Sequence, residues 1–321
     1  MHLTSEKKHT PQGGTSTGLL VPRTCHTLGV STVSGGNSRG QHPGNQRIRQ
    51  PCSPGVRLTD LPSRDYADLG NTGFVACHEN PQAAEVAVSG GRVTRGMVRR
   101  GDRLLRPMGP WSLAVHEYLR HLETAGFDGS PRVLGTEGDR EVLTFIDGDV
   151  ANDPLWEPGH GHRLPPYART EVALHSAAKL ISRLHQAATG FRPALTSYRF
   201  HLYPAKAGEI ISHGDLGPWN TVYRDGIPVA FIDWDAAQPI DPLTDLAEAA
   251  WTFVPLAPPE QLAEAGFDPP PDLPARLRMF VDAYGLTDRK AILPPLRRCM
   301  RDEPEPLRWL QSISPDLARA L

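Results

Sequence analysis

The chain has 321 residues, of which 39% are hydrophobic, and this length and composition predict two domains or one large two-lobed domain with a sizeable core. Its formal net charge of -2 argues against a general electrostatic attraction to nucleic acid or to an anionic membrane. The four cysteines are well separated with no CxxC pair, so we expect no disulfide framework. No apolar run approaches the roughly 18 residues of a membrane span, and no apolar signal region begins the chain. We therefore expect a cytoplasmic protein.

Residues 1–72 are rich in Gly, Ser, Thr, Pro and Gln, and Tyr66 is their only aromatic residue. A segment of this kind buries too little apolar surface to offset its ordering entropy, which predicts a disordered N-terminal tail. Two alternatives stay open: a translated upstream region outside the working protein, and an arm that binds a partner.

Residues 85–109 alternate short apolar and polar stretches, which predicts three antiparallel strands. Their turns are expected at the Ser-Gly-Gly of 89–91 and at the Gly-Asp of 101–102. Two further strands are predicted within 131–137 and 141–149.

One helix is predicted among these strands, and Gly126 is expected to end it. Its apolar residues recur at i, i+3, i+4 and i+7, on one face: Val115, Tyr118, Leu119 and Leu122. Strands with one helix against them form a small α+β lobe, which we place at residues 73–148 as the N-lobe.

Residues 149–321 are predicted to form a larger, mostly helical C-lobe, with helices within 169–189, 242–256 and 273–285. In the first of these helices the apolar residues expected to share the buried side are Val172, Ala173, Leu180, Ile181, Leu184 and Ala188.

Two polar clusters interrupt this helical half, each just after an apolar run. "HGDLGPWN" begins at His213, and "FIDWD" ends at Asp235, with two short strands predicted around an Asp225-Gly226 turn between them. A carboxylate, an amide five residues later and a second carboxylate beyond a hairpin can converge on one place. Phosphoryl transfer needs such a set, because one carboxylate handles the acceptor hydroxyl while the other groups hold Mg²⁺.

Over about residues 85–255 the sequence resembles the aminoglycoside phosphotransferase family, which includes choline kinase relatives and has a two-lobed protein-kinase-like fold. The resemblance is carried by the H-G-D-x-x-x-x-N pattern of "HGDLGPWN" and by the following "FIDWD". The phrases "GPW", "LRHLE" and "PWNTVYRDG" are also similar to bacterial proteins of the trifolitoxin-immunity type.

This resemblance implies a catalytic pair of Asp215, as the base, and His213, as a brace of the loop. It further implies Asn220 and Asp233 as Mg²⁺ ligands, with Asp235 near the metal. In addition Asp245 matches an aspartate that anchors the catalytic loop, and the helix carrying His185 matches the helix that precedes this loop.

In the N-lobe the resemblance implies a glycine turn over the phosphates, for which Gly90 and Gly91 are the candidates, although a plain hairpin turn is equally consistent. The expected strand lysine is missing, since no lysine lies between Lys8 and Lys179, and Arg106 stands in its place. Arginine keeps the charge but has a different shape, so a phosphate contact and a merely compositional arginine both stay open.

The glutamate that would pair with the strand lysine is also displaced. Glu117 or His116 could be recruited, although a solvated Glu117 is the simpler interpretation. The linker between the lobes is expected near residues 145–149, where the backbone, with Phe145 and Asp147 as candidates, would hydrogen-bond the nucleotide base without requiring a particular side chain.

These observations favour an ATP- and Mg²⁺-dependent phosphotransferase that modifies a hydroxyl of a small molecule. The alternative is a catalytically weak, nucleotide-binding protein of the immunity type, suggested by the missing lysine. A protein kinase is ranked last, because no activation segment follows "FIDWD". The acceptor and the oligomeric state stay open.

Overall fold

We describe the fold from a computed structural model. It describes residues 84–88, 96–153, 155, 157, 160–201, 204–300 and 304–321, without the side chains of 304–307, 309 and 310. The predicted tail at 1–72 and the predicted phosphate-binding glycines Gly90 and Gly91 lie outside these residues. No helix in the described part of the chain is long and apolar enough to cross a membrane.

An antiparallel sheet and one helix form the first part of the fold. The sheet has five strands in the order β1-β2-β3-β5-β4. The strands are β1 (Glu85–Ala87), β2 (Val98–Arg100), β3 (Arg103–Pro107), β4 (Val133–Glu137) and β5 (Arg140–Thr144). The predicted strands and the predicted turn at 101–102 are therefore confirmed.

Helix α1 (Ser112–Thr124) lies between β3 and β4 in the chain and contacts β4. Its predicted apolar face is confirmed, because Val115, Tyr118, Leu119 and Leu122 are all at most 4% exposed. Gly126 follows the helix with a φ of 79°, a left-handed conformation that glycine adopts without steric cost and that ends the helix.

The rest of the chain is mainly helical. The helices are α2 (Glu171–Ala188), α3 (Pro242–Phe253), α4 (Pro259–Glu264), α5 (Leu273–Tyr284), α6 (Leu293–Cys299) and α7 (Pro304–Ala320). Four short strands interrupt them: β6 (Asp149–Val150), β7 (Ile210–Ser212), β8 (Thr221–Arg224) and β9 (Ile227–Phe231), with β10 (Gln238–Ile240) following as a fifth. The predicted α+β class, with a small sheet part and a larger helical part, is confirmed, whereas the boundaries at 72/73 and 148/149 stay predictions.

Helix α2 is central to the helical part, where it contacts α5 and the strands β7 and β9. Thr170 caps its N-terminus by accepting a hydrogen bond from the Ala173 backbone N–H at 3.0 Å. Leu184 and Ile181 are fully buried, as predicted, but Val172 is 60% exposed, so its predicted burial was wrong. Val172 is in the first turn and points away from the buried arc, since each residue rotates the helix by about 100°.

Candidate active site

A tight backbone contact positions the loop that follows β7. Strand β7 pairs with β10, with Ser212 opposite Gln238. Gly214 has a φ of 77°, and a Cβ atom at this position would lie 2.1 Å from the Ala236 carbonyl oxygen. Glycine is therefore required, because any side chain would push the loop away from the turn after β9.

The amide of Asn220 holds Asp215 in place. Its Nδ2 donates hydrogen bonds to the Asp215 carbonyl oxygen at 2.9 Å and to the Asp215 Oδ2 at 2.8 Å. Asn220 is buried, whereas Asp215 is only half-buried and can meet a ligand. Because the Asn220 Nδ2 is directed at Asp215, the Oδ1 on the other side of the same amide faces away from Asp215 and can act as an acceptor.

Two contacts to Ile232, the residue before Asp233, join the two polar clusters. The Ile232 N–H donates to the Asn220 carbonyl oxygen at 2.9 Å, and the Ile232 carbonyl oxygen accepts from the His213 Nε2 at 2.8 Å. The His213 Nδ1 in turn accepts from the Asp215 N–H at 3.3 Å, which leaves Nε2 as the nitrogen that donates to Ile232. The structure thus brings Asp215, Asn220 and Asp233 together, with His213 buried between their two segments.

Asp233 has an unusual backbone conformation and a partly accessible side chain. Its φ of 62° and ψ of 62° are left-handed, which is uncommon for a residue with a side chain and is found at sites where the surrounding structure enforces it. Although 42% of its side-chain surface is accessible, protein surrounds the carboxylate closely. This desolvation raises its pKa, while the Arg106 guanidinium opposes the shift.

Arg106, on β3, is buried beneath the cluster and contacts three carboxylates. Its Nε lies 2.8 Å from the Glu141 Oε1, its Nη1 lies 3.2 Å from the Asp233 Oδ1, and its Nη2 contacts the Asp235 Oδ1. Burial by itself lowers the pKa of Arg106, but the three carboxylates outweigh it, so the pKa is raised and the cation is secured. The predicted phosphate contact of Arg106 stays a prediction; its observed partners are acidic side chains.

The glutamate that pairs with Arg106 comes from a strand and was missed in the sequence. Glu141, on β5, lies opposite Arg106 in the antiparallel register, and its second oxygen contacts the His116 Nε2 of α1. His116, one of the two predicted candidates, thus contacts Glu141, and Glu141 is the residue that pairs with Arg106. Glu117 is half-exposed and accepts the backbone N–H groups of Ala194 at 2.7 Å and of residue 195 at 3.0 Å. The Glu117–Arg106 pair was wrong, because the carboxylates that contact Arg106 are those of Glu141, Asp233 and Asp235.

A second arginine was also missed. Arg199 Nη1 lies 3.5 Å from the Asp235 Oδ2, and its guanidinium is 4.5 Å from the Trp111 ring centroid. Asp235 is buried between Arg106 and Arg199, where its carboxylate contacts both arginines. No spacing in the sequence indicated Arg199, because it lies in a loop far from either motif.

The predicted linker residues are engaged within the protein. The Phe145 N–H donates to the Asp102 carbonyl oxygen at 2.7 Å, and the Arg99 guanidinium lies 3.9 Å above the Phe145 ring. The Asp147 carboxylate pairs with Arg99 at 2.7 Å, and its carbonyl oxygen accepts from Arg224 at 3.0 Å. Nucleotide contacts by Phe145 and Asp147 stay predictions, and these particular groups already have partners.

A buried network supports the loop from behind. Asp245, on α3, accepts hydrogen bonds from the Ser212 hydroxyl at 2.6 Å and from the His185 Nε2 at 2.8 Å. The His185 Nδ1 contacts the Tyr284 hydroxyl at 2.9 Å. Ser212 directly precedes His213, so Asp245 connects α2 and α3 to the start of the loop.

The donor set suits a magnesium ion bound together with phosphates. The described residues contain no cluster of three or more His, Cys, Asp or Glu side chains that could hold a metal ion by themselves. Mg²⁺ in phosphoryl-transfer sites usually takes only one or two protein oxygens and obtains the others from phosphate and water. The Asn220 Oδ1 and the accessible Asp233 carboxylate match this requirement, and the Arg106 contact occupies only one Asp233 oxygen.

Comparison with known proteins agrees with this geometry. The model of the "Phosphotransferase enzyme family" matches residues 195–280, which contain both polar clusters. A relative is 34% identical over 212 residues, covering 64% of this chain and 76% of its own length. The chain therefore belongs to the phosphotransferase enzyme family, and the predicted family is confirmed. The relative is the trifolitoxin immunity protein of Rhizobium leguminosarum bv. trifolii.

Solved structures with weaker similarity include two antibiotic phosphotransferases. A macrolide 2'-phosphotransferase from Brachybacterium faecium has a TM-score of 0.42 and 16% identity, over 70% of this chain and 84% of that one. An aminoglycoside-3'-phosphotransferase of type VIII has a TM-score of 0.42 and 22% identity, over 67% of this chain and 93% of that one.

Proposed function

We propose that the protein transfers the γ-phosphoryl group of ATP to a hydroxyl group of a small molecule. The observation that supports this most strongly is the joining of Asp215, Asn220 and Asp233 by hydrogen bonds through Asn220 and Ile232. Transfer of this kind depends mainly on positioning and on charge stabilisation, and a preassembled carboxylate and amide set provides both.

In this proposal Asp215 accepts the proton of the acceptor hydroxyl. The oxygen of that hydroxyl forms a new bond to the γ-phosphorus while the bond from phosphorus to the bridging oxygen breaks, and ADP leaves. The Asn220 Nδ2 keeps the Asp215 carboxylate oriented, and His213 keeps the two segments in register through the Ile232 carbonyl oxygen. His213 is thus a positioning residue in this proposal, and Asp215 is the base.

Asn220 and Asp233 would hold Mg²⁺, which supplies positive charge beside the transferred phosphoryl group when bound. Arg106 then keeps the Asp233 carboxylate in place from below, with Glu141 and Asp235 as its fixed counter-charges. In this arrangement the Arg106 guanidinium contacts the metal ligand Asp233 and does not contact the phosphates directly.

The test is transfer of labelled γ-phosphate from Mg-ATP to a panel of hydroxylated metabolites and antibiotics. Trifolitoxin belongs in the panel, because the relative is named for immunity to it. Asp215→Asn should lower transfer by at least about a hundredfold, the usual contribution of a positioned base. Asp225→Asn is the matched control, since Asp225 is an exposed hairpin residue in a left-handed conformation that asparagine also adopts.

A second candidate is a nucleotide-binding immunity protein with weak or no transfer activity. The observation that favours it is the direct Arg106–Asp233 ion pair at 3.2 Å, because a guanidinium on this carboxylate competes with a metal. It predicts that Mg-ADP binds, that no acceptor in the panel is labelled above the Asp215→Asn background, and that Arg106→Lys increases metal affinity. Labelling of any acceptor by the wild type, abolished in Asp215→Asn, would exclude it.

A further inference from the structure

A cavity of about 650 Å³ lies on the molecule away from the aspartates of the candidate active site. Its walls come from the loop between α1 and β4, the segment after β5, helix α2 and the β8–β9 hairpin. Asp215, Asn220 and Asp233 are not among its lining residues. Its volume falls within the range of roughly 300–1,000 Å³ that is typical of small-molecule sites.

The charge of this cavity is strongly positive, although the whole chain has a formal net charge of -2. Four basic side chains line it, Arg132, Lys179, Arg183 and Arg224, against one carboxylate, Asp128. They come from three separate parts of the fold, so the excess is not the charge of one solvated helix face. Convergence of cations on a concave surface raises the local concentration of anions.

Two of the four cations, Lys179 and Arg224, form no ion pair with a described residue, whereas Arg132 and Arg183 are paired with carboxylates. Arg224 donates to a backbone carbonyl oxygen at 3.0 Å, which orients the guanidinium but leaves its charge. Arg132 donates to a backbone carbonyl oxygen at 2.9 Å, and its Nε also lies 3.7 Å from the Glu123 Oε1. Arg183 contacts Asp128, whereas Lys179 has no hydrogen bond or ion pair with any described residue. Each guanidinium has five N–H donors, so donors are left for a ligand.

A buried hydroxyl in the same wall has no partner. Ser130 is only 4% exposed, and its Oγ makes no hydrogen bond with the described residues. A buried hydroxyl without a hydrogen-bond partner lowers the stability of the protein, and a ligand atom that accepts its hydrogen bond would recover that free energy. The hydroxyl and the two cations without an ion pair, Lys179 and Arg224, therefore indicate the same kind of ligand, a multivalent oxygen anion.

The remaining walls are apolar and indicate more than a bare ion. Phe145, Leu180 and Val229 contribute to them, and Leu180 is 3% exposed. An inorganic ion would leave this surface wet, whereas an apolar or aromatic group attached to the anion would cover it.

We propose that this cavity, here termed the basic pocket, binds an organic phosphate: a phosphate monoester whose ester group is apolar or aromatic. The phosphate accepts from Lys179, Arg224 and the Ser130 hydroxyl, and the ester group packs against the apolar wall. Phe145 is the one lining residue that also belongs to the predicted nucleotide set, so the test must separate the two sites.

The probe is phenyl phosphate, titrated into the full chain by calorimetry at constant ionic strength, with inorganic phosphate and phenol as comparisons. Phenyl phosphate should bind more tightly than inorganic phosphate, and phenol should not bind. The double variant Lys179→Gln/Arg224→Gln should weaken binding by at least about tenfold, equivalent to the loss of a charge-assisted hydrogen bond. Absence of phenyl phosphate binding at millimolar concentration would overturn the proposal.

The matched control is Lys290→Gln/Arg297→Gln, which removes two exposed charges outside the pocket. An equal loss in this control would mean general electrostatic attraction and would overturn the proposal. Ser130→Ala supplies a second readout: binding should weaken while the thermal midpoint of the free protein stays the same or rises, because an unpartnered hydroxyl is removed.

Two further arms separate this pocket from the proposed phosphotransferase site. Saturating Mg-ADP should leave phenyl phosphate affinity unchanged, and competition between them would assign the pocket to the nucleotide and overturn the proposal. Asp233→Asn should also leave phenyl phosphate affinity unchanged. If no acceptor is ever labelled by the protein, the proposed function fails while the basic pocket is still tested by the same titration.

Discussion

Removal of the buried cation at Arg106 gives the sharpest test of the charge network. In Arg106→Met, two buried carboxylates lose their main counter-charge, since the side chains of Glu141 and Asp235 are only 4% and 10% exposed. Loss of one partner of a buried pair typically costs about 3–5 kcal/mol of unfolding free energy. Arg199 lies 3.5 Å from Asp235, and His116 contacts Glu141, so both soften the effect and we expect a loss of about 3 kcal/mol.

Urea denaturation followed by circular dichroism measures this loss, provided that the slope of free energy against urea is unchanged. Arg100→Met is the control on the neighbouring strand. Arg100 pairs with Glu85 at 2.5 Å and with Glu137 at 2.9 Å, but these partners are 44% and 43% exposed. Exposed pairs contribute little to stability, because solvent screens their charges. Equal losses in the two variants would refute the view that Arg106 compensates buried charge.

Two further predictions concern the support of the catalytic loop. Gly214→Ala should lower the free energy of unfolding by about 2–4 kcal/mol, because a Cβ meets the Ala236 carbonyl oxygen at 2.1 Å and the φ is 77°. Gly208→Ala, with a φ of 87° but nothing within 4 Å, should cost only about 1–2 kcal/mol, and equal costs by chemical denaturation would show that the loop contact is unimportant. Asp245→Ala should cost about 2–4 kcal/mol, since it leaves the Ser212 hydroxyl and a histidine without their buried acceptor. Asp245→Asn, which keeps one acceptor oxygen, should cost less in the same measurement, and an equal or larger cost would contradict this account.

Features that depend on local spacing were predictable from the sequence. The apolar face of α1 was predicted from the helical repeat of its apolar residues, and the structure confirms it, with Tyr118 and Leu122 fully buried. The Asp225-Gly226 turn was found from its two residue types, which are common in two-residue hairpin loops. In the structure both residues have the positive φ values, 51° and 77°, that such a loop requires. Val172 shows the limit, because its apolar side chain lies outside the buried arc of its helix.

Contacts between distant segments could not be obtained in this way. The pairing of Arg106 with Glu141 depends on the register of β3 with β5, and the sequence reveals two strands without revealing which residues lie opposite each other. Arg199 reaches Asp235 from a loop with no periodic pattern. The motif residues were found because they lie close together in the sequence, whereas the charges that support them are assembled by tertiary structure.

The position of Glu141 has a consequence for how the site responds to motion. Arg106 and Glu141 are on adjacent strands of one sheet, so hydrogen-bonded strand register sets their separation. In the arrangement that the family resemblance implies, the glutamate would lie on a helix, and an outward swing of that helix would separate the pair. Here a tilt of α1 would break the contact between His116 and Glu141 without separating Arg106 from Glu141, since neither partner of the ion pair lies on the helix. The charge pair is therefore set by the sheet and not by the position of α1.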